Sequence, residues 1–232
     1  MRSAAYSKCA SESCSMSASP IASNFNDSSS SGIESIIFRT RGVKCGRLRT
    51  IVFVAAIMPR LFDVMNTKFN GSPVKLGGNF AEVGANAPDF KMVKSDLSNF
   101  TLGSVAGKRL LLNIFPSLDT SVCAMSVRKF NKMASEIKDV LVLCISKDLP
   151  FAQKRFCTTE NLANVIPLSD CRIGSTFGAD YGVIITDGVL EGLFARAVIV
   201  ISPDGKIEYA ALSPEITKEP DYDAAMAALA KA

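Results

Sequence analysis

Two apolar runs of strand length, 108–115 (KRLLLNIF) and 139–146 (DVLVLCIS), constrain this 232-residue chain more than any other feature. Neither run alternates polar with apolar residues, so each reads as a strand buried on both faces of a sheet. Pro116 stops the first. Between the two, Val127, Phe130, Met133, Ala134 and Ile137 recur at a helical period, which predicts a helix over 123–137. A short helix follows over 150–158, with Pro150 in its first turn, then a strand over 165–168. Residues 195–202 and 206–212 flank the turn Pro203-Asp204-Gly205 and read as a β-hairpin. Upstream, Asn70-Gly71-Ser72-Pro73 marks a turn between two short strands within 67–76, and 97–102 is a further strand candidate. An Ala-rich helix over 221–231 ends the sequence. The mixture predicts one three-layer α/β domain over 65–232, with no internal repeat and no dividing linker.

Residues 1–64 are of another kind. They hold eight of the 26 basic residues and four of the 22 acidic ones, so the net charge of +4 belongs to them and the remainder is neutral. A neutral body gives no electrostatic reason to bind nucleic acid or an anionic membrane, and both partners are set aside. Residues 1–32 are Ser-rich and end in Ser28-Ser29-Ser30-Ser31-Gly32, too polar to offset the entropy of ordering. The apolar run 51–58 falls well short of the roughly 20 residues a membrane-spanning helix needs. Two readings stand: an organelle transit peptide, placing the protein in a mitochondrion or plastid, or a start assigned too early, with Met65 opening a cytoplasmic protein. Cys9, Cys14 and Cys45 lack metal-site spacing.

The chain has no His. That removes Ser-His-Asp and Cys-His pairs, His-bearing zinc sites and a proximal haem ligand. Chemistry near neutral pH falls to Cys, carboxylates, Lys, Arg or hydroxyls. Of the four cysteines in the main body, Cys144 lies mid-strand and reads as a small buried hydrophobe. Cys171 follows a strand and receives no role. Cys123 follows a strand, Pro116 and a loop holding Asp119, Thr120 and Ser121, and it opens a helix that Asp119 or Thr120 can cap. A thiol in a first turn faces unpaired N–H groups and the positive end of the helix dipole, which favour thiolate. Cys157 lies in Lys154-Arg155-Phe156-Cys157; the cations favour its thiolate as well, while a plain surface cysteine is the alternative.

The segment NIFPSLDTSVC (113–123) carries Pro116, Thr120 and Cys123 at the peroxiredoxin active-site spacing. With SVRKFN (126–131), CISKDLPFAQKRFC (144–157), GLFARAV (192–198) and EITKEPDYDAA (215–225), the chain resembles the thiol peroxidases, atypical two-cysteine peroxiredoxins, over essentially all of 65–232. The resemblance implies a thioredoxin-like fold, a central mixed sheet flanked by helices with an N-terminal β-hairpin. It implies reduction of hydrogen peroxide and organic hydroperoxides without cofactor or metal. Cys123 is then the peroxidatic cysteine and Cys157 the resolving one, paired in one chain, with thioredoxin as reductant and a homodimer as assembly. Thr120 and Arg196 become partners of the reacting sulfur, with the Thr120 hydroxyl, the Arg196 guanidinium and the Cys123 N–H as donors to developing charge; Pro116 shields the sulfur. Arg196 takes this role only through GLFARAV, since an Arg heading an apolar strand reads on its own as a surface cap. The extension 1–64 and Cys171 have no counterpart in the family pattern.

Competing readings share parts of this constellation. A peroxide sensor relaying its disulfide to a partner would use the same two cysteines. A thioredoxin-like oxidoreductase needs C-x-x-C, and the residue three beyond Cys123 is Ser126. A non-catalytic binding domain would not require the motif residues.

Overall fold

A computed structural model describes residues 67–137 and 139–231. The extension 1–64, with Cys9, Cys14, Cys45 and both readings of its origin, lies outside the described residues. In chain order the elements are β1 (Thr67–Phe69), β2 (Ser72–Val74), β3 (Leu76–Gly77), β4 (Lys91–Lys94), β5 (Asn99–Thr101), β6 (Arg109–Ile114), α1 (Ser121–Ala134), β7 (Val140–Ser146), α2 (Pro150–Thr159), β8 (Val165–Ser169), α3 (Phe177–Asp180), β9 (Ile184–Ile185), β10 (Ala197–Ile201), β11 (Ile207–Leu212) and α4 (Tyr222–Leu229).

Seven strands form one sheet in the order β11-β10-β6-β7-β8-β4-β5. The pairs β6–β7 and β7–β8 are parallel and the others antiparallel, so the sheet is mixed as expected. The two apolar runs became its centre. Alternate residues of β6, β7 and β10 serve opposite faces. Leu111, Val142, Cys144, Val198 and Val200 face one core with Val127 and Phe130 of α1 and Ala225 and Leu229 of α4. Leu110, Leu112, Ile114, Leu143, Ile145 and Ile199 face the other with Phe177, Tyr181 and Phe194. Each large apolar side chain so buried stabilises the fold by about 1.5–3 kcal/mol. Phe130 also meets the Tyr222 ring edge-on at 5.1 Å, which ties α4 to α1.

The N-terminal hairpin forms where the turn signal lies. Asn70 and Gly71 both have positive φ, 51° and 80°, the backbone a two-residue hairpin loop demands. The strand expected over 97–102 is shorter. Leu97 has φ 68° and its N–H bonds back to Lys94 O, so it turns the chain between β4 and β5 and stands half exposed. The helix expected over 123–137 starts two residues earlier and ends at Ala134. Strand β4, the β3–β9 pair and α3 had no counterpart in the sequence reading. Among the described residues no helix is long and apolar enough to cross a membrane.

Candidate active site

The site is built where β6 leaves the sheet. Phe115 N–H still bonds Ile145 O at 3.2 Å, one step past β6. Pro116, buried and without an N–H, ends the ladder there. Ser117 organises the loop that follows: its carbonyl accepts from the Thr120 N–H at 3.2 Å and from the Thr120 hydroxyl at 3.0 Å. Thr120 is the N-cap residue of α1; its side chain makes no cap bond, and its hydroxyl donates to Ser117 O. That bond engages the hydroxyl hydrogen and leaves the lone pairs of the Thr120 oxygen able to accept.

Cys123 sits in the first turn of α1 with its side chain fully buried. Behind it, Ser126 Oγ donates to Cys123 O at 2.8 Å and accepts from Asn113 Nδ2 at 3.3 Å, so a polar residue of the central strand holds the turn on the sheet. Asn113 also lies 3.9 Å from Cys144 Sγ. Sequence reasoning missed both residues; a lone Asn inside an otherwise apolar strand was the available signal.

Arg196 also reaches the sulfur. It precedes β10 and is 1% exposed, so the surface cap that its position alone suggested does not form. Its Nη2 donates to Cys123 Sγ at 3.2 Å and its Nε to Ile216 O at 3.0 Å. Nη1 is buried without a partner among the described residues. The carbonyl of Ile216 is fixed from outside: Ile216 N–H bonds Lys68 O at 2.8 Å, and Lys68 N–H bonds Pro214 O at 3.0 Å. Glu215, between them in sequence, accepts from the N–H groups of Asn70 at 3.1 Å and Gly71 at 3.0 Å. The N-terminal hairpin therefore braces the segment that aims Arg196. Nearby, Lys129 donates to Glu219 at 2.6 Å and Tyr222 OH donates to it at 2.8 Å. These contacts hold the Glu219 carboxyl below the usual range. Burial, followed by the Glu219 contact, pushes the Tyr222 phenol upward.

The structure brings Arg196 onto the Cys123 sulfur, with Pro116 and Thr120 in the loop just ahead of α1, and carries Cys157 on α2. Cys157 lines an open groove of about 440 Å³ with Ser95, Lys154, Thr158, Asn161, Leu162, Ala163 and Pro167. Cys123 and Cys157 are both free thiols, one in the first turn of α1 and the other in α2. The thiolate-favouring effect expected of Lys154 and Arg155 is overturned: burial pushes the Cys157 thiol up to about 11. Cys144 is buried as expected and its thiol is pushed higher still, by burial first and then by the neighbouring Cys157. Cys171 is exposed. Among the described residues no group of three or more Cys, Asp or Glu side chains is placed to hold a metal ion.

Comparison with known proteins agrees with this geometry. The redoxin family model matches residues 82–226. A thiol peroxidase of Corynebacterium glutamicum is 49% identical over 163 residues, 70% of this chain and 98% of that protein. A thiol peroxidase of Mycobacterium tuberculosis is 50% identical over 159 residues, 68% of this chain and 94% of its own length. The crystal structure of a peroxiredoxin-like protein from Aquifex aeolicus superposes with a TM-score of 0.68 at 40% identity, over 72% of this chain and 96% of that one. A thiol peroxidase from Chromobacterium violaceum, 21% identical with a TM-score of 0.66, shares the fold. With most of its described residues inside the family match and its relatives covered almost end to end, the chain belongs to the redoxin family, among the thiol peroxidases.

Proposed function

We propose that the chain reduces hydrogen peroxide and organic hydroperoxides with Cys123 and recycles through Cys157. The observation that carries the reading is Arg196, a buried cation with one nitrogen on the Cys123 sulfur and another, Nη1, without a partner among the described residues. A buried charged donor is costly unless something engages it. An oxygen of a bound hydroperoxide is a group that fits.

The Cys123 thiolate attacks the terminal oxygen of ROOH. The S–O bond forms as the O–O bond breaks, sulfur is oxidised to sulfenic acid, and the leaving RO⁻ takes a proton from solvent to give ROH. Arg196 and the first-turn N–H groups of α1 meet the charge that develops on the leaving oxygen. The Thr120 oxygen accepts from the peroxide O–H and so orients it. Pro116, buried in the loop ahead of α1, offers no donor and helps exclude water. Cys157 then attacks the sulfenic sulfur; the S–S bond forms, the S–O bond breaks, and hydroxide leaves as water with the Cys157 proton. A thioredoxin dithiol returns the disulfide to two thiols by exchange and is itself oxidised. No cofactor is needed in the chain. We further read the protein as a homodimer, which sedimentation tests. Its compartment is the cytoplasm if translation opens at Met65, and an organelle if 1–64 is a transit peptide.

The decisive experiment is intact mass with alkylation mapping after one equivalent of hydroperoxide. The expected product is a Cys123–Cys157 disulfide, with Cys144 and Cys171 alkylated after unfolding. Oxidation confined to Cys123, with Cys157 still a thiol, would remove the resolving role.

A further inference from the structure

We infer that Asp148 is a positioning residue for the peroxide step: from the turn that leads into the Cys157 helix, its carboxylate holds the loop that leads into the Cys123 helix. The inference rests on the peroxidase reading of Cys123 and deepens it.

Asp148 follows β7 and lies two residues before α2. Its side chain crosses to the loop between β6 and α1. Oδ1 accepts from Ser117 Oγ at 2.7 Å, and Oδ2 accepts from the Leu118 N–H at 2.7 Å and from Ser146 Oγ at 2.8 Å. Three short bonds to two oxygens need a group that only accepts, which among side chains is a carboxylate. Leu118 is 4% exposed, so its N–H has no recourse to bulk water if the carboxylate goes.

The grip passes to the site through Ser117. The same residue that bonds Asp148 takes both Thr120 donors on its carbonyl, and its hydroxyl also accepts from the Asp119 N–H at 3.2 Å. The direction of the Thr120 lone pairs and the start of α1 are thus set one contact away from Asp148. The holder is itself fixed. Ser169 Oγ donates to Asp148 O at 2.5 Å, and fully buried Gln153 donates to Ser146 Oγ and to Leu168 O, both at 3.0 Å. On the site side, by contrast, Ser117 and Thr120 lie in an irregular loop. A displacement there on the order of 1 Å can cost about 10²-fold in rate.

The test separates the two half-reactions. Oxidation of Cys123 by hydrogen peroxide is followed in single turnover by acid quench and mass analysis; reduction of the preformed Cys123–Cys157 disulfide is followed with dithiothreitol. Asp148→Ala is expected to slow oxidation at least tenfold and leave reduction within about twofold. Asp148→Asn, which keeps one acceptor, should recover part of the loss. Ser117→Ala, which removes the bond to Asp148 and the one from the Asp119 N–H but spares Leu118, should slow oxidation several-fold. If Asp148→Ala does not fold, the other two variants decide. Oxidation within twofold of the parent in every folded variant overturns the inference, as does a parallel fall in both half-reactions, the mark of a general defect. A parent protein that consumes no peroxide, or a Cys123→Ser variant that still does, sinks the peroxidase reading itself and this inference with it.

Discussion

Arg196 is a charge where charge is expensive, and its geometry accounts for that cost. Two of its three nitrogens are occupied, one by a carbonyl and one by the Cys123 sulfur, and the third is buried without a partner among the described residues. A lysine keeps the charge but is a single point donor that cannot span carbonyl, sulfur and peroxide at once. Arg196→Lys is therefore expected to slow single-turnover oxidation of Cys123 by 10²- to 10³-fold, about the range seen when one transition-state donor is removed. Circular dichroism should stay at the parent level. A near-normal rate would take Arg196 out of the chemistry and leave it as a bridge between Ile216 and α1. This residue also marks the limit of what the sequence discloses. Its place ahead of an apolar run reads as a surface position, and only the match of the segment around it to a family pattern placed it near Cys123. The partner that orients it, the Ile216 carbonyl, is a main-chain atom and carries no side-chain signature at all.

At the scale of elements, legibility tracks how local the determining contacts are. The buried strands β6 and β7, helix α1 and the two hairpins, β1–β2 and β10–β11, could be read because hydrophobic period and turn residues set them within a dozen positions. Strand β4 could not. Its four residues, KMVK, hold two lysines and become a strand only by pairing with β8 and β5. The role of the β1–β2 hairpin was equally hidden, since it depends on residues about 145 positions away. There Glu215 accepts from the hairpin turn, and the Gly71 N–H foremost, then the hydroxyl and N–H of Thr217 and the Asn70 N–H, hold its carboxyl at about 2, against an ordinary 4.5. The folded protein thus keeps Glu215 charged where the unfolded chain protonates it. The resulting stability is present above pH 4.5 and is lost as pH falls from there through about 2. Glu215→Gln should lower the urea midpoint at neutral pH, with the gap to the parent closing as acid is added. A gap that stays constant across pH would mean the carboxylate charge contributes nothing at this turn. Because the turn braces Ile216, the same variant should also slow Cys123 oxidation modestly at neutral pH.

The whole molecule divides by chemistry and not by length alone. Cys123 and the Arg196 that bonds its sulfur, the loop holding Pro116 and Thr120, the helix that carries Cys157 and the hairpin that braces the Ile216 segment lie within 67–231. The Corynebacterium glutamicum thiol peroxidase is matched over 98% of its own length by 163 residues of this chain, so a protein with little beyond the matched segment carries that name. The segment 1–64 contributes the whole net charge of the chain and a Ser-rich stretch with little apolar surface to bury, a composition suited to addressing or to no role. A chain opening at Met65 is therefore expected to melt within a degree or two of the full-length protein and to oxidise Cys123 within about twofold of its rate. Thermal scans and single-turnover quench of the two proteins, side by side, make the comparison. A tenfold loss of rate, or a clear fall in melting temperature, would assign the extension to the fold and move the domain boundary from residue 65 toward the N-terminus. Equal behaviour would confine the peroxidase to 65–232 and leave compartment as the one property that the first 64 residues can still decide.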